Sequence, residues 1–257
     1  LNKKNVTILA TEGQTTNLLY NQLAKYYNVQ KVILEDKISK KIILKNRIKK
    51  LGLMKVLGQV IFMVTIPKIL NITSKYRIKQ IIHEANQNDN PIPTQTIVNV
   101  NSINDDSISQ LLNQLSPDLI FVNGTRIISK TILESTNVKI INIHVGITPK
   151  YRGVHGGYWA LFNDDLANFG TTVHYIDSGI DTGNIIAQAT GKISKQDNFI
   201  TYPIIQYCLG LNILSDEIIK SNCDNIKLIN SKVSKSRLHY HPTISEYLCK
   251  RIMKNIK

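Results

Sequence analysis

The sequence predicts an α/β protein with a mostly parallel sheet flanked by helices. Short apolar, β-branched runs recur along the chain with helical stretches between them. The chain opens strand, turn, helix, strand, an order that favours parallel pairing. Its 257 residues, 42% of them hydrophobic, suit one large domain with appendages.

Asn5 to Thr11 (NVTILAT) reads as a first buried strand. Gly13 turns the chain, Thr15 to Tyr27 has helical periodicity, and Val29 to Leu34 is a second strand. The turn ATEGQTTN holds one glycine, so no dinucleotide fingerprint is present. Residues 36–85 read as a basic helical insertion, interrupted at Pro67 and resuming as a helix over Tyr76 to Ala85. An amphipathic cover for the sheet and a surface that docks on acidic lipid or a partner are both open for it.

A polar, proline-bearing loop, Asn86 to Gln95, ends the insertion. Thr96 to Val100 is then a strand and Asp106 to Leu115 a helix, with Asp105 or Asp106 as its cap. Asp118 to Asn123 (DLIFVN) is a buried strand, and Ser129 to Glu134 a short helix. Lys139 to Val145 (KIINIHV) is a strand, followed by a loop over Gly146 to Gly153 and a helix over Val154 to Phe162. Thr171 to Ile176 and Asn184 to Ala189 are strands, and Tyr202 to Lys220 a long helix. The tail carries a strand or hairpin and a last helix after Pro242.

The formal charge is +14, and residues 31–79 hold thirteen Lys/Arg against Glu35 and Asp36. Such a balance suits anionic partners, although a chain this rich in Lys, Ile and Asn also reflects compositional bias. No run of about 18 apolar residues crosses a bilayer; the longest, Val56 to Pro67, is too short. The three cysteines, Cys208, Cys223 and Cys249, fit a reducing cytoplasm as idle thiols and lack metal-ligand spacing. The chain begins at Leu1 rather than Met, with no secretion pattern there.

Asn142 and His144 lie two apart in KIINIHV, so both side chains face one spot near the strand's C-terminal end. Open parallel sheets hold their ligands there. Downstream, DSGIDTG (Asp177 to Gly183) packs two aspartates and two glycines into a loop between strands. Such a loop can bring a carboxylate to an imidazole and backbone groups to a flat ligand. Each piece alone is a common structural feature.

Together they resemble one family. The stretch NIHVGITPKYRGVHGGYWALFNDDLANFGTTVHYIDSGIDTGNII is similar to the signature region of the folate-dependent formyltransferases. Asn142, His144, Pro149, Arg152, Gly153, Trp159, Ala160, Gly170, Thr172, His174, Asp181 and Gly183 match its pattern in order and spacing. The match is close over about 118–190 and looser before it. Two departures stand out. His144-Val145-Gly146 replaces the His-Pro-Ser of many members, and the N-terminal phosphate loop is thin around Gly13.

The resemblance implies a Rossmann-like formyltransferase domain over 1–221, with 36–85 as an insertion, and a short hairpin or helix extension over 222–257. It implies N10-formyltetrahydrofolate as donor and no metal. Asn142, His144 and Asp181 would be catalytic: the amide steadies the oxyanion, an imidazole titrating near neutrality moves the proton, and the carboxylate orients it. Gly124, Arg126, Ile127, Ile128, Ser129, Ile176, Asp177 and Gly179 would bind the folate. Lys150, Tyr151, Arg152, Gly153 and His155 would face the acceptor. His174 would support the site, and the histidines of LHYHPTISEY would pack rather than bind metal.

The stretch after Asn222 is shorter than the barrel that the transfer-RNA enzymes of this family carry, which disfavours nucleic acid as partner. A nucleoside-diphosphate amino sugar, a surface polysaccharide precursor such as those of O-antigen, is the expected acceptor. Glycinamide ribonucleotide, aminoacyl-tRNA and hydrolysis of the donor are the alternatives. Peripheral membrane contact and a homodimer remain compatible with the sequence.

Overall fold

The computed structural model describes residues 3–216, 227–230 and 236–257. The elements run β1 (Asn5–Ala10), α1 (Gln14–Ala24), β2 (Asn28–Glu35), α2 (Lys40–Leu51), α3 (Leu53–Glu84), β3 (Ile97–Val100) and α4 (Asp106–Leu115). They continue β4 (Leu119–Asn123), α5 (Lys130–Glu134), β5 (Ile140–His144), β6 (Tyr151–Gly153), α6 (Gly156–Phe162), β7 (Gly170–Tyr175) and β8 (Ile185–Thr190). Last come α7 (Thr201–Leu214), β9 (Arg237–His239) and α8 (Ile244–Lys254).

Seven strands form one sheet in the order β3-β2-β1-β4-β5-β7-β8. Pairing is parallel from β3 through β5 and antiparallel at β7 and β8. Strand order reverses beside β1, whose neighbours are β2 and β4. A doubly wound sheet opens its ligand crevice at that point, beyond the strand C-termini.

Alternation along β1 explains why both sheet faces are covered. Val6, Ile8 and Ala10 join Leu18, Leu23, Phe121 and Leu211 in a core under α1 and α7. Leu9 points the other way and joins Ile33, Ile108, Ile120 and Ile132 under α4 and α5. A third, aromatic cluster of Phe62, Tyr158, Trp159, Phe199 and Tyr247 ties α3, α6 and α8 together.

Several expectations are corrected. Pro67 does not break the insertion: α3 runs unbroken for 32 residues. The proline removes one backbone donor, and the Thr65 hydroxyl donates to the Ile61 and Phe62 carbonyls in the turn before it. Packing of Phe62 on one side of the proline and Ile81 and Ile82 on the other holds both halves in line. Asp105 sits at the N-cap of α4 without a side-chain capping bond. Of the strand or hairpin expected in the tail, the described residues show a strand, β9, which pairs in parallel with β6. The expected end of the long helix at Lys220, the 221/222 boundary and Cys223 lie outside the described residues.

The tail docks through histidines. His239 stacks on Tyr151 at 5.5 Å and on Trp159 at 5.1 Å. His241 Nδ1 lies 3.0 Å from Nε2 of half-buried His155. Pro242 and a Thr243–Glu246 capping box then start α8. Burial pushes His239 and His241 down to about 4, and His155 well below its ordinary value. The unfolded chain takes up these protons near pH ~6.5, whereas the fold resists them. Stability is therefore full above that pH and lost as pH falls toward about 4. Thermal melts between pH 7 and 4.5 should show a fall of more than about 5 °C. A flat profile over that range would contradict this account of the tail.

Candidate active site

Asn142 and His144 sit at the end of β5, and their backbone register fixes their neighbours. Antiparallel pairing sets Asn142 opposite His174 and His144 opposite Thr172. Asn142 Nδ2 and His174 Nε2 are 3.2 Å apart. His174 Nδ1 lies 2.7 Å from the Tyr175 carbonyl, which can only accept. His174 therefore donates from Nδ1 and, when neutral, accepts the Asn142 amide at Nε2. Burial pushes the His174 imidazole below its ordinary value, against the pull of the Tyr175 carbonyl and Asp181. The neutral ring thus fixes which end of the carboxamide is the donor.

The same argument assigns His144. Its Nε2 lies 2.7 Å from the Tyr151 carbonyl, so it donates there. In the neutral ring Nδ1 is then a lone pair, 3.4 Å from Asp181 Oδ2. A proton taken at Nδ1 would be held between imidazole and carboxylate. His144 is buried, and Asp181 is nearly so.

A backbone turn and two hydrogen bonds hold Asp181 in place. Its backbone is left-handed, with φ of 51°. The Gly153 N–H donates to its Oδ2 at 2.8 Å. Arg152 Nη1 donates to the neighbouring Ile180 carbonyl at 3.2 Å. Gly153 has φ of 90°, and a Cβ there would meet the His239 carbonyl at 2.3 Å, so this position needs glycine. Asp177 braces the start of the loop by accepting from Gly179 N–H at 3.0 Å and the Thr182 hydroxyl at 2.7 Å.

These groups open on a cleft of about 490 Å³, within the range of small-molecule sites. Gly124, Arg126, Ile127 and Ile128 line it from the loop after β4, and Ile176, Asp177 and Gly179 from the loop after β7. Asn142, His144, Gly153, His174 and Asp181 share it. Ile127 remains 60% exposed, an aliphatic surface with room for a flat ring. Gly124 turns the loop at φ of 69°.

Arg126 also does a different job. Its Nε donates to Glu35 Oε2 at 2.5 Å, and its backbone N–H donates to Glu35 Oε1 at 2.6 Å. Nη2 reaches the Asp36 and Asn101 carbonyls at 3.1 and 3.0 Å. The guanidinium clamps the loop to the end of β2, and Arg126 remains part of the cleft wall.

Other expected contacts fall outside the cleft. Ser129 caps α5 by accepting from Ile132 N–H at 3.3 Å, while its own N–H donates to Asn104 Oδ1. Lys150 pairs with Asp165 at 2.5 Å. The Tyr151 side chain is buried, with its hydroxyl donating to Asp165 at 2.7 Å; only its carbonyl serves His144. Burial and that hydrogen bond push the phenol up to about 12. His155 sits at the N-cap position of α6 without a side-chain capping bond, its ring 4.3 Å from that of Phe199. Among the described residues no group of three His, Cys, Asp or Glu is placed to hold a metal ion.

Thr15, Asn123, Pro203 and Tyr207 also border the cleft, and of these only Asn123 lies within the stretch that closely resembles the family. Asn123 Nδ2 donates to the hydroxyls of Thr15 and Thr16 at 3.0 and 2.8 Å, tying β4 to the start of α1. The Tyr207 hydroxyl is buried and has no hydrogen-bond partner among the described residues.

Comparison with known proteins agrees with this arrangement. The family model described as formyl transferase matches residues 37–202. The methionyl-tRNA formyltransferase of Syntrophus aciditrophicus is 36% identical over 98 residues, 38% of this chain and 31% of that protein. The methionyl-tRNA formyltransferase of Thermodesulfovibrio yellowstonii is 32% identical over 145 residues, 55% of this chain and 45% of that protein. The matches thus span less than half the length of these relatives. Among solved structures, a 4-N formyltransferase from Francisella tularensis has a TM-score of 0.58 at 16% identity, covering 92% of this chain and 76% of that one. A phosphoribosylglycinamide formyltransferase from Streptococcus pneumoniae TIGR4 has a TM-score of 0.53 at 18% identity, covering 85% and 98%. These two share the fold. With the family pattern matched over most of its sheet and across its cleft, the chain belongs to the formyl transferase family.

Proposed function

We propose that this chain transfers a formyl group from N10-formyltetrahydrofolate to the amine of a nucleoside-diphosphate amino sugar. The observation that carries the transfer step is the meeting of the Asn142 amide, the His144 imidazole and the Asp181 carboxylate in one cleft. The donor fits what lines the cleft. Backbone groups around Gly124 and Gly179 suit a hydrogen-bonding pterin edge, and Ile127, Ile128 and Ile176 suit its flat faces.

The chemistry follows from the hydrogen bonds. The acceptor amine attacks the formyl carbon, and the carbonyl oxygen gains negative charge. The Asn142 N–H not committed to His174 stabilises that oxygen. His144 takes the amine proton at Nδ1, with Asp181 balancing the imidazolium. The bond from carbon to the folate nitrogen breaks, and His144 returns the proton to that nitrogen. The new amide and tetrahydrofolate leave.

On the acceptor side, the buried Tyr207 hydroxyl lacks a partner that a polar substrate would supply. A hydroxyl-rich sugar suits it, and the net positive chain suits a diphosphate. Tyr207→Phe should raise the acceptor KM roughly fivefold and leave the donor KM unchanged; an unaltered acceptor KM would remove Tyr207 from this role. The methionyl-tRNA formyltransferase relatives favour a second reading, in which an aminoacyl-tRNA supplies the amine.

The test incubates the protein with formyl-tetrahydrofolate and a panel of nucleotide-linked amino sugars, glycinamide ribonucleotide and aminoacyl-tRNA. Mass spectrometry reads the acceptor that gains one formyl group. Formylation of a nucleotide sugar is the expected result. Formylation of tRNA alone would move the assignment to the second reading, and formate release without acceptor would make the protein a hydrolase.

A further inference from the structure

The helical insertion leaves an unusual surface. One side of α3 packs on the body through Val56, Phe62, Ile81 and Ile82, with Ser74 and Gln59 also buried. A helix placed this way ordinarily turns polar residues outward. Here the outward side is apolar: Met54 is 79% exposed, Ile69 60% and Ile72 74%, with Leu57, Ile61 and Val64 between them. These positions lie within about half of the helix circumference and run for about 27 Å. Exposed Thr65 and Lys68 interrupt the strip between Val64 and Ile69. An exposed apolar surface of this kind marks a contact surface.

The charge around the strip narrows the choice of partner. From Lys37 to His83 the chain holds twelve Lys/Arg and no Asp or Glu. Lys40, Lys41, Lys45, Lys49 and Lys50 of α2 are exposed beside it, as are Lys55, Lys68, Lys75 and Lys79 of α3. A second copy of the same surface would bring like charges together. Nucleic acid would pair with the lysines and leave the leucine and isoleucine side chains in water. An anionic bilayer surface takes both: the aliphatic groups enter the boundary below the headgroups, and the ammonium groups snorkel to lipid phosphates.

We infer that the outer face of α2 and α3 docks this protein on anionic membrane surfaces, with α3 lying in the plane of the interface. By length and composition alone α3 could cross a bilayer. Its polar ties to the body oppose that. Arg77 Nε donates to buried Asp197 at 2.8 Å, and Ser74 and Asn198 exchange buried hydrogen bonds at 2.9 and 3.3 Å. Inserting the helix across hydrocarbon would break an ion pair and leave these groups unpartnered. Docking on one face keeps them. Because α3 packs on α7, which carries Pro203 and Tyr207 to the cleft, a docked enzyme would work close to the lipid surface. The inference does not depend on the identity of the acceptor.

Vesicle co-sedimentation tests it with the whole chain. Phosphatidylcholine vesicles carrying about one third phosphatidylglycerol should retain at least about tenfold more protein than phosphatidylcholine alone. Leu57→Asp with Ile61→Asp should lose that binding about tenfold. Lys45→Glu with Lys49→Glu should do the same. All four positions lie outside the cleft, so both variants should keep the wild-type circular dichroism and formyl transfer. Absence of vesicle binding would overturn the inference, as would equal binding by the Leu57/Ile61 variant. A dimer that this variant dissolves, seen without vesicle binding, would overturn it in favour of self-association. Binding only to RNA would overturn it in favour of nucleic acid.

Discussion

Replacing His144 with alanine lowers kcat for formyl transfer by roughly a hundredfold to ten-thousandfold, the range that a positioned acid-base group contributes. The proton of the attacking amine then has only solvent to receive it. Removing the ring leaves Asp181 with its Gly153 N–H and the cleft with its aliphatic walls, so the donor KM should change little. The split between kcat and KM separates proton transfer from mere cleft architecture. Circular dichroism and a thermal melt check that the variant is folded. Turnover within tenfold of wild type would remove His144 from the reaction.

Glu35→Ala should destabilise the protein by about 3–5 kcal/mol. The Glu35 side chain is 1% exposed and accepts from the backbone N–H groups of Ile103 and Arg126 as well as the Arg126 guanidinium. Truncation strands two buried donors and a largely buried cation at once. Because Arg126 belongs to the loop that lines the cleft, the donor KM should rise in parallel. Glu35→Gln keeps an acceptor oxygen and should lose less. Urea melts of the three proteins measure the effect, and a loss under about 1 kcal/mol for the alanine variant would mean that the clamp is not what holds this loop.

The strands were readable because they are buried on two faces and rich in Ile and Val, as in Leu119–Asn123 and Ile140–His144. β6 was not. Its three residues carry no period, and they become a strand only by pairing with β9, far along the chain. The continuity of α3 through Pro67 was hidden for a similar reason: long-range packing overrides a local breaker.

The site divides the same way. The two-residue spacing of Asn142 and His144 placed them together from sequence alone. Asp181 came within reach only through the family pattern, since its left-handed turn and the Gly153 contact are tertiary. The partnership of Asn142 with His174 needs the β5–β7 register. Other polar residues of the matched stretch have fold partners of their own: Lys150 and the Tyr151 hydroxyl meet Asp165, and His155 meets His241. Glu35 and Tyr207 carry no motif; a buried acid at a strand end and an aromatic on a core helix reveal their roles only once their neighbours are known.

The account stands on a formyl carbonyl being gripped where β5 ends. A crystal structure with a non-transferring formyl-folate analogue addresses this directly. The formyl oxygen should lie about 3 Å from Asn142 Nδ2, with His144 Nδ1 facing the transferred carbon and the pteridine between the Gly124–Ile128 and Ile176–Gly179 segments. A pteridine bound elsewhere, or a formyl group turned away from Asn142 and His144, would contradict it.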